Sequence, residues 1–227
     1  MIPQEPLVAL NPAYTVGEQI AECCMIHEGL GKKEAYGRAE TALGQVGIRD
    51  ASRRLYSYPH EFSGGMRQRV LIAMALACDP DILIADEPTT SLDVTIQAQI
   101  LALLRELIRD SNKALIFITH DLGVAAVLCD RIAVMYAGSV VEIAHRDALF
   151  ERPLHPYTQG LLRSLPHSGR PEKFLDPIPG SLCNLMDPPT GCKFHPRCDQ
   201  ALEVCAEECP TLRQVEDVGQ TACHLYS

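Results

Sequence analysis

Hydrophobic and polar positions along this chain repeat with two different periods, and each change of period marks an element. Residues 1–12 hold prolines at positions 3, 6 and 12 and show no period, which predicts a loop, since proline breaks a helix interior. Over 16–28, Val16, Ile20 and Cys23 or Cys24 recur at helical spacing, and over 32–46 Ala35, Ala39, Leu43 and Val46 do the same. Both stretches predict helices. Tyr58 to Phe62 is an extended lead into Ser63-Gly64-Gly65, where a further helix starts. Its expected buried side is Val70, Leu71, Met74, Ala75 and Ala77, with Arg67, Gln68 and Arg69 facing outward. After the turn Asp79-Pro80-Asp81, the apolar run 82–86 ends abruptly in two acids, Asp86 and Glu87, which predicts a buried parallel strand. Ile96, Ile100, Leu101, Leu103, Leu104, Leu107 and Ile108 form the stripe of a long helix laid over the sheet. Residues 114–119 predict a second buried strand, with His120 at its end. Residues 132–137 and 140–143, joined by Gly138-Ser139, predict a hairpin, and 147–150 open a short helix.

Apolar strands alternating with helices indicate an α/β fold, in which ligands bind at the C-terminal edge of the sheet. Two residue sets fit a nucleotide there. Ser63 followed by two glycines gives a helix mouth whose free N–H groups can face a phosphate. Asp86 is placed to hold Mg²⁺ through water and Glu87 to polarise a water aimed at a γ-phosphate, while His120, next to Asp121, can hydrogen-bond that phosphate.

With 227 residues, the chain can bury one substantial core and a small appendage. A hydrophobic fraction of 47% with 22% charged residues is that of a globular protein, and no apolar run reaches the roughly 20 residues of a membrane-spanning helix. A formal net charge of −9 argues against a duplex-binding surface, so nucleic acid is not an expected partner. The start, Met1-Ile2-Pro3-Gln4, has no basic region or long apolar core, and the expectation is a cytosolic protein in which the ten cysteines are thiols or metal ligands.

The order of the Ser63-Gly64-Gly65 helix, the apolar strand with Asp86-Glu87-Pro88, then Ser91-Leu92-Asp93 and Thr119-His120-Asp121 resembles the nucleotide-binding subunit of an ABC transporter. Each piece alone is weak; the order and spacing together are specific. The resemblance implies a partial P-loop NTPase fold over 1–151, with a helical subdomain at about 13–78, and an irregular Cys-rich extension over 152–227. It further implies that Glu87, His120 and Gln4 are catalytic and that Ser63, Gly64, Gly65, Asp86 and Asp93 bind ATP and Mg²⁺. Gln4 falls at the glutamine loop, with Pro3 where the family usually has an aromatic; the signature carries Phe62 for Leu and Met66 for Gln. The P-loop, Gly-x4-Gly-Lys-Ser/Thr, is absent; Gly29-Leu30-Gly31-Lys32-Lys33 lacks the first Gly at the needed offset and the hydroxyl. The chain is therefore expected to lack its N-terminal part, to neither bind ATP tightly nor hydrolyse it alone, to leave apolar surface open, and to offer its Ser63 turn to a partner's site.

The stretch His155-Pro156-Tyr157-Thr158-Gln159-Gly160-Leu161-Leu162, with Ile178-Pro179-Gly180, the stretch Gly191–Cys198 and Ala222-Cys223-His224-Leu225, resembles the extension of oligopeptide and dipeptide importers. Cys192, Cys198, Cys205 and Cys223 are spaced C-x5-C-x6-C-x17-C. Four such thiolates suit an iron–sulfur cluster or tetrahedral Zn²⁺, or stay unligated. The resemblance favours a [4Fe–4S] cluster and leaves Cys183 and Cys209 out of the set. It also implies a peripheral subunit on the cytoplasmic side of the membrane, with a second ABC ATPase subunit and transmembrane permeases as partners and an extracytoplasmic peptide-binding protein as an indirect one. The rival expectation is a non-catalytic, metal-bearing docking module that pairs with an intact ATPase. A DNA-repair ATPase is disfavoured by the tail and the acidic charge.

Overall fold

In a computed structural model, residues 1–90, 92–109, 113–165 and 177–226 are described; Ser91, the first residue of the expected Ser-Leu-Asp motif, lies outside them. The chain divides into two compact units, Met1–Val124 and Ala125–Ser227.

The first unit opens differently from the expected loop. Ile2 forms a parallel bridge with Ala85, and Pro6–Ala9 close one helical turn, α1, because Pro6 occupies the first turn, where its missing N–H costs nothing. Helices α2 (Val16–Glu28) and α3 (Lys32–Gln45) follow, and the expected faces are inward: Val16, Ile20, Cys24, Ala35, Ala39, Leu43 and Val46 are buried. Thr15 starts α2 with a reciprocal cap, accepting from Glu18 N–H while the Glu18 carboxylate accepts from Thr15 N–H at 2.8 Å. A turn of helix, α4 (Ala51–Arg54), precedes α5 (Gly64–Leu76).

The expected outward face of α5 is corrected. Gln68 is buried, Arg67 Nε donates to Pro59 O at 2.8 Å and Arg69 donates to Val46 O, so both arginines tie down carbonyls at the ends of preceding segments.

Strand β1 (Ile82–Asp86) pairs in parallel with β2 (Ala114–Ile118), and α6 (Val94–Arg109) buries Ile100 and Leu104 beside them. The expectation that β2 is buried fails: Ile116 and Ile118 are 51% and 45% exposed. Among the described residues β2 pairs only with β1, so it is an edge strand of a two-stranded sheet and its apolar positions stay open.

Helix α7 (Leu122–Leu128) contains the division between units. In the second unit β3 (Arg131–Tyr136) and β4 (Ser139–His145) form the expected hairpin, turning at Ala137 and Gly138, both with positive φ, as a two-residue hairpin loop requires. Helices α8 (Arg146–Glu151) and α9 (Pro156–Arg163) follow, then a short α10 (Val204–Glu207) and the strands β5 (Arg213–Val215) and β6 (Gly219–Thr221). The sheet order β3-β4-β6-β5 joins the hairpin to the tail within the second unit.

Candidate nucleotide site

The tip of β1 carries the candidate chemistry. Parallel pairing sets Asp86 opposite Ile118, so the acids and the residues after β2 emerge at one sheet edge. Glu87 leaves the strand with φ +43°, and its N–H donates to Ile118 O at 2.9 Å. A non-glycine residue in this region is strained, and such strain concentrates at functional sites.

Two remote segments and the turn that begins at Glu87 itself converge on its carboxylate. Gln4 Nε2 donates to Oε2 at 3.0 Å, Thr90 Oγ1 donates to the same oxygen at 2.8 Å, and His120 Nδ1 lies 3.2 Å from Oε1. These donors, Thr90 first, then His120, hold the Glu87 carboxyl below the usual carboxylate range. Gln4, Glu87 and His120 thus meet at one carboxylate, and Ile2 explains how: hydrogen bonds of Ile2 N–H to Ile84 O and of Asp86 N–H to Ile2 O fasten the segment carrying Gln4 beside β1.

Thr90 was missed. The signal was in the sequence, since Glu87-Pro88-Thr89-Thr90 has proline at the second position of a turn, and that turn forms, with Thr90 N–H donating to Glu87 O at 3.3 Å. Asp86 is half-buried at the strand end and supplies hard oxygen donors of the type Mg²⁺ takes.

Ser63 and Gly64 are exposed at the mouth of α5, and Ser63 Oγ accepts from Met66 N–H at 3.4 Å, which leaves the hydroxyl proton free to donate. The two glycines play different parts. A Cβ on Gly65 would stand 2.6 Å from Ile96 Cγ2, so this glycine serves packing on α6, whereas one on Gly64 would meet Leu92 at an ordinary 3.9 Å. Asp93 caps α6 by accepting from Ile96 N–H at 3.0 Å. The Ser63 turn and the Asp93 cap thus lie against each other within the first unit.

In the second unit, the His155-Pro156-Tyr157-Thr158 stretch is a buried capping device. Glu142 of β4 is fully buried and its two oxygens accept from Leu154 N–H and His155 N–H, each at 2.8 Å. His155 Nδ1 accepts from Tyr157 N–H at 3.0 Å to start α9, and burial pushes the imidazole down to about 4, so it stays neutral.

Cys192, Cys198, Cys205 and Cys223 share one neighbourhood, and Cys192 N–H donates to Cys205 O at 2.8 Å. Burial, and then the neighbouring thiols, push Cys223 up to about 11. Four thiols are the right donors for a soft metal, but among the described residues no three His, Cys, Asp or Glu side chains gather closely enough to hold one ion. The expected cluster and zinc therefore have no support in the placement of these side chains. Cys209, outside the expected set, lines the same small cavity as Cys192.

Residues 1–90 match the ABC transporter family model, and residues 141–205 match the oligopeptide/dipeptide transporter C-terminal region. The chain is 51% identical over 224 residues to the dipeptide transport ATP-binding protein DppD of Escherichia coli (strain K12), covering 99% of this chain and 68% of that protein. It is 53% identical over 225 residues to DppD of Bacillus subtilis (strain 168), covering 99% and 67%, and 52% identical over 205 residues to the oligopeptide transport ATP-binding protein OppD of Salmonella typhimurium (strain LT2), covering 90% and 61%. Among solved structures, the dimeric post-hydrolysis state of the ATP-binding cassette MJ0796 bound to ADP and Pi matches with TM-score 0.54 and 31% identity, covering 64% of this chain and 61% of that one. The chain belongs to the family of ATP-binding subunits of dipeptide and oligopeptide ABC transporters.

Proposed function

We propose that this chain is an ATP-hydrolysing subunit of a peptide importer and that Glu87 polarises the attacking water. The observation that carries this reading is the convergence of Gln4, Thr90 and His120 on Glu87 at 3.0, 2.8 and 3.2 Å. A docking module without catalysis gives no reason for two remote segments, carrying Gln4 and His120, to meet on one carboxylate. Asp86 and the Gln4 carboxamide oxygen would hold Mg²⁺, which beside nucleotide phosphates needs only one or two protein ligands and would supply positive charge against theirs. Gln4 and His120 turn to the γ-phosphate, which frees Glu87 to face water.

Ser63, Gly64, Gly65 and Asp93 serve ATP held on a second ABC ATPase subunit, and turnover belongs to the assembled pair. Closure of the pair drives the transmembrane permease subunits, and an extracytoplasmic binding protein delivers peptide to them. The chain acts as a peripheral subunit at the cytoplasmic face of the membrane. The names of its relatives, which specify dipeptide and oligopeptide transport, support the substrate class.

The test is ATP turnover by the transporter assembled with its permeases. Glu87→Gln lowers kcat by about 100-fold or more with ATP binding retained, the usual scale for losing a general base. Turnover at the wild-type rate overturns the reading. The finer assignment of a [4Fe–4S] cluster or Zn²⁺ to Cys192, Cys198, Cys205 and Cys223 rests on their shared neighbourhood alone. Iron and acid-labile sulfide, or zinc, measured on anaerobically purified protein decides it, and the absence of all three removes it.

A further inference from the structure

Among the donors that hold the Glu87 carboxylate, one comes from its own turn, and the mechanism above gives that one no part. Thr90 Oγ1 donates to Oε2 at 2.8 Å, the shortest of the three contacts. Gln4 and His120 reach Glu87 from remote segments, so either can part from it without disturbing the strand end. Thr90 sits three residues away in a closed turn, and its hydroxyl travels with the carboxylate.

The turn is built to hold that hydroxyl in place. Glu87 N–H donates to Ile118 O at 2.9 Å and Thr90 N–H to Glu87 O at 3.3 Å, so the backbone is pinned where it leaves β1 and again where the turn closes. Pro88, buried between them, sets φ at the second position. The two threonines face opposite ways. Thr89 is 7% exposed and its Oγ1 accepts from Gln97 Nε2 of α6 at 3.4 Å, whereas Thr90 is exposed and its hydroxyl is spent on Glu87. One threonine fastens the turn to α6, and the other is left to work on the acid. Thr90 is β-branched and stiff at χ1, so it gives up little freedom in making the bond.

We propose that Thr90 is the positioning residue of this site: its hydroxyl keeps Oε2 of Glu87 occupied through the reaction, so that Oε1 alone faces the attacking water once Gln4 and His120 have turned to the γ-phosphate. A glutamate side chain rotates about three bonds, and few of its rotamers aim an oxygen at a water in line with that phosphate. A donor that moves with the acid selects among them. Thr90 acts through Glu87 and touches neither nucleotide nor water. The inference rests on the ATPase reading and names how that site aims its base.

The experiment measures ATP turnover and ATP affinity in the transporter assembled with its permeases. Thr90→Val keeps the branched shape and removes the hydroxyl; kcat falls about tenfold, as for a misaimed base, while the Kd for ATP stays within about twofold. Thr90→Ser returns the hydroxyl and recovers kcat to within about threefold of wild type. Thr90→Ala, smaller than the native residue, repeats the loss if valine distorts the turn. On a Glu87→Gln background, Thr90→Val costs less than about twofold more, because no base is left to aim. Wild-type kcat in both Thr90→Val and Thr90→Ala overturns the proposal, as does an equal loss in Thr90→Ser or an undiminished loss on top of Glu87→Gln. The two readings fail separately: Glu87→Gln at the wild-type rate removes the ATPase assignment, whereas lost turnover in Glu87→Gln beside full turnover without the Thr90 hydroxyl removes the positioning role alone.

Discussion

Two carboxylates, Glu87 in the first unit and Glu142 in the second, each accept hydrogen bonds through both oxygens, yet they are built for different ends. Glu142 is fully buried and its donors are two consecutive backbone N–H groups, at 2.8 Å each, in a chain segment that starts a helix. Such donors cannot turn away without unfolding the segment. Glu87 has a side chain 24% exposed, and its donors are side chains: Thr90 from its own turn, and Gln4 and His120 from two remote segments. Side chains can rotate to a new partner at small cost. The donors, more than the carboxylate, distinguish a structural acid from one that can act.

The sharpest way to break this comparison is Glu142→Ala, which strands two buried N–H groups and costs about 4 kcal/mol of stability. A urea-unfolding midpoint unchanged from wild type would remove the structural role. Acid titration follows. His155 is pushed down to about 4 by burial, while the unfolded chain takes up its proton near 6.5. The folded state's advantage is therefore complete above that higher value and is lost as pH falls from one to the other, by about 3 kcal/mol. Stability measured across this window in wild type and His155→Gln should differ in slope. Next is Gly65→Ala, whose Cβ falls 2.6 Å from Ile96 and forces a shift costing about 2 kcal/mol, whereas Gly64→Ala meets only ordinary contact and stays within about 0.5 kcal/mol. Paired thermal melts read the difference. Smallest is Glu87→Ala, within about 1 kcal/mol of wild type in unfolding because its bonds are partly exposed. Since the Glu87 carboxyl is held below its ordinary range, its contribution is present above that range and fades only as pH falls through the lowered value. A loss from Glu87→Ala as large as that from Glu142→Ala would erase the contrast.

Legibility followed the range of the forces involved. The inward faces of α2 and α3 were readable because one periodic stripe meets one core, and Asp86 and Glu87 were readable because an apolar run ends where the sheet ends. Gln68 was misplaced since a glutamine near a helix start reads as solvent-facing, while its burial depends on what packs over α5. Arg67 and Arg69 were misread for a related reason: their partners, Pro59 O and Val46 O, are backbone atoms that no charge pattern reveals. The exposure of β2 comes from its having a single sheet neighbour among the described residues, not from its own residues. Glu142 lies within the expected hairpin, and only the return of residues 154 and 155 makes it an anchor. The four tail thiols show the converse limit, because spacing identifies donors without fixing where their sulfur atoms point.

The notch at Gly65 reaches further than its own contact. With Ile96 seated against it and Leu92 beside Gly64, the mouth of α5 and the capped start of α6 interlock like adjoining teeth of one key. The two capping residues, Ser63 and Asp93, therefore stand at the starts of helices that are braced against each other, so a shift in one start is felt at the other.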